Sequence, residues 1–192
     1  IGAVVVPGSV QLTEKDILYR INAAQAKLLI AVNDSFVTEQ IKDLPQNSDS
    51  LRHILIAGDS AADGFEYFNG EFMKHEPYNE PPEAVNSDEM VIYFTSGTSG
   101  MPKMAIHNRT YPLGHIVTAK YMQCVQNNGL HITQADSGWA KFGWGNIYGQ
   151  WICGSAVLAY DPLRFNAAHF LETTEKYKPT SMCIPPTMYR FL

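Results

Sequence analysis

Three short apolar runs, spaced by two helical periods, constrain how the first sixty residues can fold. Ile1-Gly2-Ala3-Val4-Val5-Val6 is apolar, β-branched and stopped by Pro7-Gly8, Leu28-Leu29-Ile30-Ala31-Val32 is closed by Asn33-Asp34, and His53-Ile54-Leu55-Ile56-Ala57-Gly58 makes the third run. Between the first two, Thr13 and Asp16 have the spacing of a capping box, and Ile17, Leu18, Ile21, Ala24 and Leu28 recur at helical intervals. Phe36, Val37, Ile41 and Leu44 outline a shorter helix that Pro45 is expected to stop. Bounded apolar runs of this length read as strands. Strand, helix, strand, helix, strand in that order builds a parallel sheet with helices packed on it. The expected fold is therefore α/β: a doubly wound, mostly parallel sheet flanked by helices.

A second constraint follows an aromatic, acidic stretch around Phe65, Tyr67, Phe68 and Phe72, read as a short helix or irregular segment packed on the sheet, and an extended connector through Pro81 and Pro82. Met90-Val91-Ile92-Tyr93-Phe94 reads as a strand and feeds Thr95-Ser96-Gly97-Thr98-Ser99-Gly100-Met101-Pro102-Lys103, after which Met104-Ala105-Ile106 reads as a returning strand. A loop of Gly, Ser and Thr lets backbone N–H groups and hydroxyls approach a phosphate, and a terminal lysine adds a mobile positive charge. It is not a Walker A loop. Pro102 stands where that motif needs Gly and Met104 where it needs Ser or Thr, so no hydroxyl follows the lysine to hold Mg²⁺. On residue types alone, a phosphate cradle and a plain hairpin between two strands both remain open.

Composition narrows the partners. The chain has 192 residues, 45% hydrophobic and 17% charged, the balance of a folded globular chain large enough for one sizeable domain. Net charge is −5 with no basic cluster, which argues against a nucleic acid polymer while leaving room for a small anion at one locally positive loop. Cys124, Cys153 and Cys183 are odd in number and form no CxxC pair, so neither a disulfide framework nor a zinc knuckle is expected, and no HExxH spacing offers a metal site. No apolar run approaches the roughly 18 residues that span a bilayer, and no signal peptide is visible. A cytoplasmic protein, compatible with a homo-oligomer, is the expectation. The chain opens at Ile1 without Met and reads as lacking its natural beginning.

Past the hairpin, Pro112 suits the first turn of a helix that Ile116, Ala119, Lys120, Gln123 and Cys124 continue towards Asn127-Asn128-Gly129. His107, at a strand end, reads as a capping or packing residue and stays outside the catalytic set. Residues 134–149 hold Trp139, Phe142, Trp144 and Tyr148 among four glycines. Aromatics beside glycines can wall a ligand pocket or fill a corner of the core, and composition leaves both open. Residues 155–161 and Ser181-Met182-Cys183-Ile184 read as strands around a helix capped by Asn166 and running through Phe170, Leu171, Thr174 and Tyr177. Residues 185–190 start a further helix.

Tyr93 through Lys103 closely resembles the signature phosphate loop of the adenylate-forming superfamily, which includes acyl-CoA synthetases, nonribosomal peptide adenylation domains and luciferases. Ala135-Asp136-Ser137-Gly138-Trp139 is similar to a segment of acetyl-CoA and medium-chain acyl-CoA synthetases, and Pro185-Pro186-Thr187-Met188-Tyr189-Arg190 resembles a structural segment that follows their pocket helix. The resemblance implies flavodoxin-like subdomains and an incomplete large N-terminal domain, with residues 1–60 as a βαβαβ part, 61–89 as connector and 90–192 as phosphate loop and acyl-pocket part. On the same resemblance, a C-terminal lid domain is not expected within these residues. It implies that the parent uses ATP, Mg²⁺ and coenzyme A to turn a small carboxylic acid into its acyl-CoA thioester. Thr95, Ser96, Thr98 and Ser99 would bond the nucleotide phosphates, with Gly97 and Gly100 allowing close approach. Lys103 would offset charge on the departing pyrophosphate, and Trp139, Trp144 and Tyr148 would line the acyl and pantetheine pocket. The segments that contact adenine and ribose do not occur in these residues, so the chain alone is not expected to make acyl-adenylate. The alternatives are an adenylation domain that loads an amino or aryl acid onto a carrier protein, and a non-catalytic α/β binding domain.

Overall fold

Alternation of helices and short parallel strands runs through the computed structural model, which describes residues 2–80, 83–96, 100–162 and 165–192. In chain order the elements are α1 (Glu14–Ala24), β1 (Leu28–Val32), α2 (Ser35–Ile41), α3 (Leu44–Asn47), β2 (His53–Ala57), β3 (Glu66–Tyr67), α4 (Phe68–Phe72), β4 (Glu89–Thr95) and β5 (Lys103–Asn108). There follow α5 (Tyr111–Val117), a π-helical turn (Thr118–Met122), β6 (Leu130–Thr133), α6 (Ala140–Phe142), a second π-helical turn (Gly143–Ile147), α7 (Tyr148–Ile152), β7 (Ala156–Val157), α8 (Ala167–Tyr177), β8 (Ser181–Cys183) and a 3₁₀ turn (Met188–Arg190). Two compact units contain them, Ile1–Ala84 with Met90–Ile106, and Val85–Glu89 with His107–Leu192.

In the first unit the capping box is formed. The Thr13 hydroxyl oxygen accepts from the Asp16 backbone N–H while the Asp16 carboxylate accepts from the Thr13 N–H. The Thr13 hydroxyl also donates to that carboxylate at 2.7 Å, which holds Asp16 below the ordinary carboxylate range. Gln25, at φ +51°, ends α1 in a left-handed cap. Strands β1, β2 and β3 lie parallel in that order, with Leu28 opposite His53 and Ile56 opposite Tyr67. Ile21 of α1, Val37 and Ile41 of α2, Leu44, Leu51, Ile54 and Ile56 close into the core of this unit. The expected α/β class with parallel sheets flanked by helices is the observed one.

Three local expectations are corrected. Val4-Val5-Val6 is not a buried strand of this sheet. Val5 makes a single parallel bridge to Val91 in β4 and is 55% exposed, because its hydrogen bonds go to Met90 and Ile92. Pro45 does not stop a helix; it sits in the first turn of α3, where a missing N–H costs nothing. The aromatic stretch after residue 60 supplies β3 to the sheet before α4 begins, a two-residue strand too short for alternation to betray.

In the second unit β7, β6 and β8 form a parallel sheet with β6 central. This β6 strand has no counterpart in the sequence reading, because its four residues hold only two apolar side chains, Leu130 and Ile132, between Gly129 and Gln134. Asn166 caps α8 as expected, its side chain accepting from the His169 N–H at 3.1 Å. The helix opened by Pro112 is shorter than the sequence suggests. It widens into the first π-turn and ends there, with Cys124 at φ +53°.

Candidate functional site

The loop region belongs to the first unit. Thr95 ends β4 and Lys103 begins β5, and these two strands pair. The base of the loop is tied twice: the Thr95 hydroxyl donates to the Lys103 carbonyl at 3.3 Å, and the Tyr19 hydroxyl donates to the Pro102 carbonyl at 2.8 Å. Phe94 anchors the strand beneath, edge-on to Tyr19 and covered by the Arg20 guanidinium 5.3 Å from its ring centre. Thr95, Ser96, Gly100 and Lys103 are all exposed. Gly100 lies at φ +116°, a conformation open to glycine but strained for any side chain. Gly97, Thr98 and Ser99, expected to cradle phosphates, lie outside the described residues. What the described part offers is hydroxyls and one ammonium group at a strand end.

The aromatic region belongs to the second unit and is built from separate segments. His107 of β5 packs on Tyr111 of α5 with ring centres 4.2 Å apart, and Tyr111 meets His115 one helical turn on, edge-to-face at 4.5 Å. Tyr148 of α7 comes edge-on to Tyr111 at 5.6 Å, and Trp144 stacks on His115 at 5.9 Å with planes 17° apart. Gly149 makes this meeting geometrically feasible. A Cβ there would stand 2.3 Å from the His115 carbonyl oxygen and 2.7 Å from the Ala119 Cβ, so only glycine lets α7 lie this close to α5. Burial, and after it the charge of nearby His107, holds His115 below the ordinary histidine range. Trp144 and Tyr148, proposed from sequence as pocket residues, are brought together with His107, Tyr111 and His115. Trp139 stands apart from that packing at the head of α6 and is 65% exposed. Tyr111 and His115 escaped the sequence reading although their spacing of four puts both rings on one helix face.

Beneath the aromatic wall lies a buried polar network. The Gly145 carbonyl, inside the second π-turn, accepts from the Thr133 hydroxyl at 2.6 Å, Gln150 Nε2 at 2.8 Å, His131 Nε2 at 2.9 Å and Gln123 Nε2 at 3.3 Å. Because a carbonyl only accepts, His131 carries its proton on Nε2, and Nδ1 accepts from the Ser181 hydroxyl at 2.8 Å. Desolvation holds His131 below the ordinary histidine range, although its bond to Gly145 works the other way. Among the described residues no three His, Cys, Asp or Glu side chains are placed to hold a metal ion, and no helix is long and apolar enough to cross a membrane.

A family model described as "AMP-binding enzyme" matches residues 1–192. Human acyl-coenzyme A synthetase ACSM4, mitochondrial, is 32% identical over 192 residues, all of this chain and 33% of the human protein. Human acyl-coenzyme A synthetase ACSM3, mitochondrial, is 34% identical over 193 residues, 100% of this chain and 32% of that protein. The chain thus spans about a third of the length of these relatives. Among solved structures, the anthranilate CoA ligase AuaEII in complex with anthranoyl-AMP superposes with a TM-score of 0.81 at 24% identity, over 93% of this chain and 34% of that one. An acyl-CoA synthetase from Brucella canis gives 0.80 at 21% identity, over 100% of this chain and 34% of that one. Both share the fold. The relatives also correct the expected cytoplasmic location, since both human proteins are named mitochondrial. Cys124, Cys153 and Cys183 form no disulfide among the described residues.

Proposed function

Since the chain belongs to the AMP-binding enzyme family along its whole length, we propose that the full protein is an acyl-CoA synthetase that activates a small carboxylic acid with ATP. A carboxylate oxygen attacks the α-phosphorus, the bond to the bridging oxygen breaks, and pyrophosphate leaves with the electron pair. The thiol sulfur of coenzyme A then attacks the acyl carbon, AMP departs, and the thiol proton passes to solvent. The single observation that carries this reading is the match to acyl-coenzyme A synthetases across every residue of the chain.

In this reading Lys103 sits at the rim of the phosphate site, and its ammonium offsets charge gathering on the leaving pyrophosphate. Thr95 and Ser96 offer hydroxyl donors, and Gly97, Thr98, Ser99 and Gly100 complete the cradle. The Thr95 and Tyr19 hydrogen bonds to the loop's base fix where the lysine starts, so less of its freedom is lost on binding. Trp144 and Tyr148, with His115 and Tyr111 behind them, form a flat apolar wall suited to the acyl group, and Trp139 is assigned to the same pocket. A Mg²⁺ ion bound to the nucleotide phosphates would offset their charge beside Lys103.

The test is acid-dependent pyrophosphate release by the full-length protein, with thioester formation on addition of coenzyme A. A panel of short, medium and aromatic acids identifies the substrate class. Nucleotide binding without pyrophosphate release for any acid would overturn the proposal in favour of a non-catalytic binding domain.

A further inference from the structure

The buried network that holds the Gly145 carbonyl contains more polar groups than a stable core requires. His131 and Gln150 are 0% exposed, Asn146 2%, Thr133 3% and Gln123 8%. Burying such groups costs free energy unless their bonds are complete. Here they are not: Gln150 Oε1 and Asn146 Oδ1 are buried without a hydrogen-bond partner. An apolar filling of the same space would be at least as stable. The polar groups all point to one turn. Four side-chain donors reach a single carbonyl that has two lone pairs, and Gln150 Nε2 also reaches the Trp144 carbonyl at 3.3 Å and the Gln123 side-chain oxygen. His131 shares its Nε2 proton between Gly145 and the Thr133 hydroxyl oxygen 3.0 Å away.

The turn so held, Gly143–Ile147, is π-helical. Such turns are rare insertions that alter the direction of side chains along a helix and are frequent at functional sites. Trp144 belongs to this turn and Tyr148 follows it directly, which is how both rings reach His115 and Tyr111. We propose that His131 and Thr133 are positioning residues for the acid pocket: by donating to the Gly145 carbonyl from the rigid central strand β6, they hold the π-turn in register and so set the plane of Trp144. This rests on the reading of Trp144 as a wall of the acid site. His131 and Thr133 act through the backbone and need not touch the acid.

The experiment uses the full-length protein and four variants, Thr133→Val, His131→Leu, His131→Gln and Trp144→Ala. Thr133→Val removes one donor at constant shape, and His131→Gln returns an N–H donor near the place of Nε2. Thr133→Val and His131→Leu are expected to raise KM for the acid about 10-fold with KM for ATP unmoved, and His131→Gln to recover at least half of that loss. Taken as the difference between each variant and its Trp144→Phe counterpart, the emission of Trp144 shifts in Thr133→Val and His131→Leu and lies nearer the parent in His131→Gln. If Trp144→Ala raises the acid KM while Thr133→Val and His131→Leu match the parent in acid KM and emission, the positioning role is wrong and the pocket reading stands. If Trp144→Ala leaves the acid KM unchanged, the pocket reading fails and the positioning role falls with it. A merely structural network would lower stability to urea in these variants without separating the two KM values.

Discussion

Lys103 stands at the start of an exposed strand among hydroxyls that face water, whereas Trp144 sits on a turn whose neighbouring carbonyl receives four side-chain donors. The loop region is fixed at its base and left open at its rim. The aromatic region is fixed from beneath by His131 and Thr133 and from the side by the close approach of α5 and α7. On the proposed reading, the difference is one of task. A phosphate can be met by backbone and flexible charge that adjust as it arrives, while discrimination between acids needs a wall that does not give way.

Matched glycine substitutions give the largest contrast. Gly149→Val should destabilise the full-length protein by about 3 kcal/mol or prevent folding, because its side chain meets the His115 backbone. Gly100→Ala should cost only about 1 kcal/mol, since nothing lies within 4 Å and only its φ is strained. Urea unfolding reads both, and equal losses would erase the distinction between a packed and an open region.

Next in size is Lys103→Ala, expected to slow pyrophosphate exchange about 100-fold while leaving the order of preference among acids intact. Unchanged exchange would remove the lysine from the phosphate site. Trp144→Ala should do the reverse. Its expected signature is a roughly 10-fold rise in acid KM that differs between short, medium and aromatic acids, with nucleotide KM steady. A uniform loss across all acids would show that the wall supports the fold without reading the acid.

The smallest effect is on pH dependence. His131 and His115 both have folded-state values below the usual histidine value of 6.5, chiefly through burial. The unfolded chain then takes up protons at a higher pH than the folded one. Stability from these groups is complete above about pH 6.5 and is lost as the pH falls below it towards the folded-state values. Each site adds at most about 1.4 kcal/mol per pH unit. Urea midpoints measured between pH 7.5 and 5.5 should fall, and less steeply in His131→Gln. Lys103→Ala, which removes neither histidine, should leave that slope unchanged.

Much of the fold was legible in the residues themselves. The capping box of Thr13 and Asp16, the strands at Leu28–Val32 and His53–Ala57 and the Asn166 cap each depend on neighbours a few positions away, and sequence records such relations directly. The strands that flank residues 96–102 were legible for the same reason, since each is one contiguous stretch. Val4-Val5-Val6 misled because an apolar β-branched run does not say which strand will receive it. Strand β6 escaped because Leu130 and Ile132 alone are too few apolar residues to mark a strand, and the burial of His131 and Thr133 against the π-turn is a tertiary fact.

By itself the sequence determined the α/β class, the position of the loop and the aromatic content of residues 134–149. Only the tertiary structure decided that Trp144 and Tyr148 join His107, Tyr111 and His115 while Trp139 stays exposed, and that His131, Thr133, Gln123 and Gln150 meet at one carbonyl. Thr133 and Gly145 lie 12 residues apart along the chain, and His115 and Trp144 lie 29 apart. Contacts of that kind depend on how helices and strands pack, and packing here turned on Gly149, whose missing side chain no periodicity could mark as decisive.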